Sequence, residues 1–309
     1  IRPHVTGRFH DLLLAVVRHP AMLLYLDNAG SMGPHSRPGE KRGKGLNENL
    51  ARELLELHTL GVDGGYTQAD VTSFAGILTG WSVTGAKDRN PGSFKFRSFV
   101  HEPGEKFFMG QRFGPAGEQE GVQALEFLSR HPSTARHIAR QFAIHFVADD
   151  PPAALVDRLA GIFRDSDGDL LALTNAVIDA PEAWAQPLGK LKTPNELVVS
   201  TVRAVGYSGD DKRLLGSLRG LGQSPFSAPS PAGWPDTAAS WMGPSAVLLR
   251  ADYAAAVAKR LAGRMPPTQL LAQTVAPVSD ERLNQAIARA ATIDDANGLI
   301  LASPQFQRR

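Results

Sequence analysis

Apolar residues recur at helical spacing along most of the chain. In residues 10–26, Leu12, Leu13, Val16 and Val17 are followed by Leu23, Leu24 and Leu26. Pro20 interrupts this stripe, so the pattern predicts two short helices rather than one. Residues 47–60 read as a single helix ended by Gly61 at the C′ position, and Thr67, with Asp70 three residues on, opens another through about Thr79. The spacing predicts further helices over 119–129, 133–147, 153–164, 170–179, 194–205 and 245–262, with two weaker ones closing the chain. Two stretches rich in Gly, Pro and Ser separate these elements: a basic loop at 28–45, read as mobile, and a Trp-bearing loop at 224–244. Only 94–113 changes character. There FKFRSFV and KFFMGQRF, joined by residues 101–105, read as the two arms of a hairpin. No fixed-period repeat is present. The expected architecture is all-α: one multi-helix domain over 1–309 with a small β-hairpin insertion near 94–113.

The helix at 47–60 carries the most informative pattern. At about 100° per residue, Leu46, Leu50, Leu54, Leu57 and Leu60 form a core-facing arc, and Glu53 projects inside it. Asn49, Glu53 and Glu56 stand at i, i+4 and i+7, one above the next on that side, while Glu48, Arg52 and Thr59 point toward solvent and His58 lies on the other side. A carboxylate on a buried face is costly unless it is paired, metal-bound or protonated. Two readings follow. Asn49, Glu53 and Glu56 help build a polar site, as oxygen ligands of a hard cation or as an acid/base pair; or Glu53 serves structure, paired with a buried Arg or capping another helix.

Composition narrows the function classes. Lys+Arg 33 against Asp+Glu 31 leaves a formal charge of +2, which argues against nucleic acid or an anionic membrane as partner. There are no cysteines, so thiolate metal sites, disulfides and cysteine nucleophiles are excluded within this chain. No apolar run approaches the ~18 residues of a membrane span, and no signal peptide is visible.

The remaining motifs each have a plain structural reading beside the chemical one. His101-Glu102, expected at a hairpin tip, would complete a site begun by Glu53 and Glu56, or form an ordinary polar turn. Asp165-Ser166-Asp167-Gly168-Asp169 resembles the opening of a calcium loop, but Ala176 stands where an EF-hand needs its bidentate Glu, so Asp169 or Asp167 is read as the N-cap of the next helix. Thr193-Pro194-Asn195-Glu196 is a complete helix start, leaving Lys192 either solvated or reaching a site. His131, His137 and His145 lack an i, i+4 metal spacing and are read as surface or packing residues. Trp81, Trp234 and Trp241 would stack on a ligand if exposed or anchor loops if buried. Phosphate-binding glycine loops, a nucleophile elbow and a zinc-protease motif are all missing.

The runs HPAMLLYLDN, NENLARELLELHTLGVDGGYTQADV and LTGW, together with FRDSDGDL, KTPNELV and GQSPFSAPSPAGWPDTAASW, resemble a bacterial family described as domain of unknown function eighteen-hundred. The resemblance covers nearly the whole chain. It implies an exported protein, periplasmic or secreted, often encoded beside a sulfatase-like partner. It also implies a longer chain whose N-terminal helical region carries a Trp-His-Asn-His-Phe-type motif, not seen here. The family usually shows His-Asp where this chain has His101-Glu102, which weakens the transfer of a role to Glu102. No activity comes with the resemblance.

These readings lead to two expectations. In one the protein is a metal-dependent hydrolase acting on a polymeric or cell-envelope substrate. Asn49, Glu53, Glu56, His101 and Glu102 would hold a divalent ion, Glu53 and Glu56 would carry the chemistry, and Trp81, Trp234, Trp241 and Lys192 would line the substrate. In the other it is a non-catalytic envelope binding or assembly protein, with polysaccharide or a protein as partner and a structural network of buried carboxylates.

Overall fold

A computed structural model describes residues 1–42, 45–261 and 263–309. Helix accounts for 58% of it, and strands are confined to two small antiparallel hairpins among the described residues, so the fold is all-α with a small β insertion. The chain divides into two compact units. Unit 1 comprises Ile1–Ala143 and Pro152–Ala180; unit 2 comprises Ile144–Pro151 and Pro181–Arg309.

Unit 1 begins with α1 (Phe9–Val17) and α2 (Pro20–Tyr25), broken apart at Pro20 as expected, followed by a short α3 (Arg37–Arg42) inside the stretch read as a loop. Next come α4 (Asn49–Glu53), α5 (Gln68–Leu78), strands β1 (Trp81–Val83), β2 (Phe94–Phe96), β3 (Lys106–Phe108) and β4 (Gln111–Phe113), then α6 (Glu118–Ser129), α7 (Pro132–Phe146), whose last turn falls in unit 2, α8 (Ala153–Asp165) and α9 (Leu170–Ile178). Several starts carry the caps read from the sequence. Thr67 and Asp70 form a capping box, and the Asp169 carboxylate accepts from the N–H groups of Leu171 and Ala172. The core gathers around Phe108, stacked 4.9 Å from Phe74 and edge-on to Phe127.

The strand pairing differs from the expected hairpin. The two aromatic runs do not pair with each other. Phe94, Lys95 and Phe96 pair with Val83, Ser82 and Trp81, whereas KFFMGQRF folds back on itself, with Lys106 opposite Phe113. The reason is local. Met109 and Gly110 both take positive φ, 47° and 73°, which builds the tight two-residue turn that matches strand twist. The Asp70 carboxylate holds that turn by accepting from the Met109 N–H at 2.7 Å. His101 and Glu102 therefore lie in the link between two hairpins, not at a tip.

The helix at 47–60 also departs from the wheel. After α4 the backbone widens into a π-helical segment, Leu54–His58. A π turn advances less per residue than an α turn, so the face rotates. Leu50, Ala51, Leu54, Leu55, Thr59 and Leu60 are buried, while Leu57, Glu53 and Glu56 are only half-buried. Three carbonyls of this segment find partners beyond it: Leu54 the Thr59 hydroxyl at 2.7 Å, Leu55 the Gly61 N–H at 3.0 Å, and Leu57 the His137 Nε2–H at 3.0 Å.

Unit 2 is built from α10 (Pro181–Trp184), α11 (Pro194–Ala204), α12 (Asp211–Gly220), α13 (Ala238–Trp241), α14 (Pro244–Leu261), α15 (Pro267–Gln273), α16 (Glu281–Ala288), α17 (Ile293–Ala302) and α18 (Pro304–Gln307). The helix expected over 245–262 is present, and its last position, Ala262, lies outside the described residues. The reading of 28–45 as a loop likewise includes Gly43 and Lys44, which are outside them. Leu197, Leu218, Leu270, Leu283, Ile300 and Phe306 form the core of unit 2. The Trp-bearing loop is tied down by Lys190, whose buried ammonium meets the Asp149 carboxylate and the Asp236 carbonyl, each at 2.5 Å.

Candidate active site

The link between the hairpins positions two adjacent side chains that go separate ways. His101 turns inward. Its Nδ1 lies 2.8 Å from the Thr79 carbonyl, an obligatory acceptor, so Nδ1 carries a proton. Its Nε2 lies 3.1 Å from Glu120 Oε1, and Lys106 Nζ reaches Glu120 Oε2 at 2.7 Å. Glu120 Oε1 also accepts from the N–H groups of Ala116 and Gly117, at 2.9 and 3.0 Å. Burial works to raise the Glu120 carboxyl, but hydrogen bonds from Lys106 and His101 outweigh it and hold the group below the usual carboxylate range. Every member of this buried network is matched, and both ring nitrogens of His101 are occupied.

Glu102 turns outward to the loop at 28–45. Its Oε1 lies 2.5 Å from His35 Nδ1, and its Oε2 accepts from the His35 backbone N–H at 3.0 Å. The Thr79 hydroxyl fixes the peptide of Glu102, accepting its N–H at 2.8 Å. The loop comes this close because Gly33 has no side chain: a Cβ there would sit 2.5 Å from the Glu102 Cα. Ser36 stabilises the turn, donating to the Gly33 carbonyl and capping the Gly39 N–H. Glu102 is mostly buried (14% exposed) and the His35 ring is open (74%), so a shielded carboxylate orients an accessible imidazole. The hydrogen bond and the charge of Glu102 push the His35 imidazole above its ordinary value, with Glu40 adding to the effect. An open cleft of about 530 Å³ is lined by His35, Arg37, Phe99 and the edge of His101. With Nδ1 committed to Glu102, Nε2 is the ring atom left for a molecule in that cleft.

The other expected site residues are dispersed. Asn49 is exposed and opens α4, its N–H donating to the Asn47 side chain at 2.9 Å. Glu53 is pushed upward by burial and by the neighbouring charge of Glu56, and Glu56 sits 3.7 Å from Arg52. Glu48, read as solvent-facing, instead joins α4 to α5, accepting from Arg52, Gln68 and Thr72. Among the described residues no three His, Asp or Glu side chains are grouped to hold a metal ion. Asn49, Glu53, Glu56, His101 and Glu102 thus do not offer a ready ligand set.

Trp81 is fully buried in β1, packed at 5.3 Å against Phe94 with the Arg18 guanidinium over its ring, so it is a core residue and has no face for a ligand. Trp241 is buried and donates to the Pro235 carbonyl, and Trp234 lies 6.0 Å from it, so this pair anchors the loop. Lys192 donates to the Phe306 carbonyl at 2.7 Å with its ammonium 4.4 Å from that ring, and burial pushes its amine down.

Sequence reasoning missed His35, which sits in a stretch with no helical or strand pattern. The signal was the run of Gly33, Pro34, Ser36 and Pro38 around it, a composition that builds tight turns able to present one side chain. It missed Glu120 as well, hidden as the third residue of an ordinary helix start.

No curated protein and no solved structure matches the chain. The match that does extend along it runs over residues 1–308, and on that ground the chain belongs to the family described as "Protein of unknown function (DUF1800)".

Proposed function

We propose that the protein is a hydrolase of the cell envelope, acting on a polymeric substrate, in which the His35–Glu102 pair handles the proton. The observation carrying this reading is the orientation of an accessible imidazole by a shielded carboxylate at the mouth of a cleft. In the reaction His35 Nε2 takes a proton from water as the water oxygen bonds to the electrophilic carbon of the substrate. The bond to the leaving group then breaks, and Nε2 returns the proton to it. Glu102 keeps Nδ1 protonated and steadies the charged ring. Arg37 supplies positive charge for an anionic substrate group, and the exposed Phe99 ring gives an apolar face. The envelope location and a sulfatase-like neighbour belong to the same proposal and rest on the family resemblance.

Purified protein assayed against chromogenic esters and solubilised envelope polysaccharide tests it. Turnover is expected to fall by about 10²–10⁴ in His35→Ala. No turnover by the native protein, or full activity in His35→Ala, overturns it. Cell fractionation tests the location.

One observation favours a second reading, a non-catalytic envelope binding protein: the most buried carboxylate, Glu120, is wholly committed to structure. That reading expects polysaccharide or partner binding to survive His35→Ala.

A further inference from the structure

Unit 2 contains a cavity of about 480 Å³ that plays no part in the proposed hydrolysis. Its floor is apolar. Val202 and Val205 come from the end of α11, Leu214 from α12, Val257 from α14 and Met265 from the segment that follows. Tyr253 adds a phenol that burial pushes upward, hydrogen-bonded to Thr201. The rim is cationic: Arg213, Arg260 and Arg264 are all exposed there, and no Asp or Glu lines the cavity. Among the described residues none of these three arginines has a carboxylate within 4.0 Å, so their charge is not met within the chain.

The pattern is built by spacing. Tyr253, Val257 and Arg260 follow at i, i+4 and i+7, so the face of α14 that lines the cavity becomes charged toward its end, and Arg264 joins it from the turn beyond the helix, its N–H donating to the Leu261 carbonyl. Three guanidinium groups around one opening repel each other, and an anion seated among them relieves that repulsion with charge-assisted hydrogen bonds. Beside the apolar floor the hydroxyl-bearing Thr201, Tyr207, Ser208 and Ser217 also line the cavity. A cavity of this size falls within the range of about 300–1,000 Å³ typical of small-molecule sites.

We infer that this cavity binds an anionic amphiphile, with its carboxylate or phosphate head held by Arg213, Arg260 and Arg264 and its acyl chain on the floor. The head group of a lipid phosphate and that of a free fatty acid share this chemistry.

Isothermal titration of the full chain with dodecyl phosphate and with laurate, both below their micelle concentrations, tests the inference. Dodecyltrimethylammonium serves as the cationic control. One-to-one binding of an anionic amphiphile is expected, with none of the cation. Tighter binding of dodecyl phosphate identifies a lipid phosphate as the occupant, and tighter binding of laurate a fatty acid. The combined Arg213→Ala, Arg260→Ala and Arg264→Ala variant changes only exposed side chains, so its fold should persist by circular dichroism. Its affinity should drop at least about tenfold. Val257→Trp, which fills the floor, should weaken binding with the arginines intact. Equal binding of the cation, no binding of either anion, or unchanged affinity in the arginine variant overturns the inference.

Discussion

His35 and Glu120 show how differently a carboxylate pair behaves when it is open and when it is closed. Because Glu102 raises the His35 imidazole, the pair's contribution to folding is fully present below about pH 6.5 and is lost as pH climbs through the raised value. The Glu102→Gln variant should lower the His35 midpoint toward that of a free imidazole, read from its ring proton resonances by NMR; an unmoved midpoint would separate the two residues. Glu120 has the opposite sign. Its contribution is present above the ordinary carboxylate value and is lost as pH falls through the depressed one. Glu120→Gln strands the buried Lys106 ammonium without its counter-charge, and urea denaturation should show a loss of about 3–5 kcal/mol. Neither partnership was legible in the sequence. Glu102 and His35 are 67 positions apart, and Glu120 and His101 are 19 apart. Patterning identifies the face or loop that bears a residue, but a contact between distant segments depends on how turns such as Gly33 bring them together.

At the scale of elements, the sequence was read best where the governing chemistry lies within one turn. The caps at Thr67, Asp169 and Thr193 stand where the letters put them, because each needs only a side-chain oxygen and the N–H two or three residues on. The π segment was not legible, because its stabilising groups come from elsewhere. Thr59 and Gly61 lie just beyond it, but the carbonyl of Leu57 depends on His137, 80 positions away. His137→Ala should leave that carbonyl unmet and cost about 1–3 kcal/mol, measured by chemical denaturation. Gly61→Ala should also destabilise, since its φ of 84° disfavours a side chain and a Cβ would lie 2.9 Å from the His137 ring. A His137→Ala variant as stable as the native chain would remove the histidine from this account. The weak helix α12 went unread for a related reason: Gly216 and Gly220 dilute its apolar pattern, although Asp210 marks its start.

At the scale of the molecule, the sequence reading expects one domain, whereas the chain has two apolar cores. The two readings differ in cooperativity. With a core in each unit, scanning calorimetry should resolve two transitions. Leu125→Ala should then lower only the one belonging to unit 1, and Ile300→Ala only that of unit 2, each by about 2–5 kcal/mol. A single transition lowered by both substitutions would fit the single domain expected from the sequence. The way the chain is shared between the units also bears on any attempt to dissect it. Asp149 belongs to a short segment, Ile144–Pro151, that is cut off from the rest of unit 2 by the helices of Pro152–Ala180. A fragment beginning at Pro181 would keep Lys190 and lose Asp149, leaving an ammonium only 2% exposed without its nearest carboxylate. Neither unit can be excised as one uninterrupted stretch of gene. An intact unit 2 would require splicing the Asp149 segment onto 181–309 through a designed linker, and the part of any rescue lost again in Asp149→Ala would measure what that carboxylate contributes.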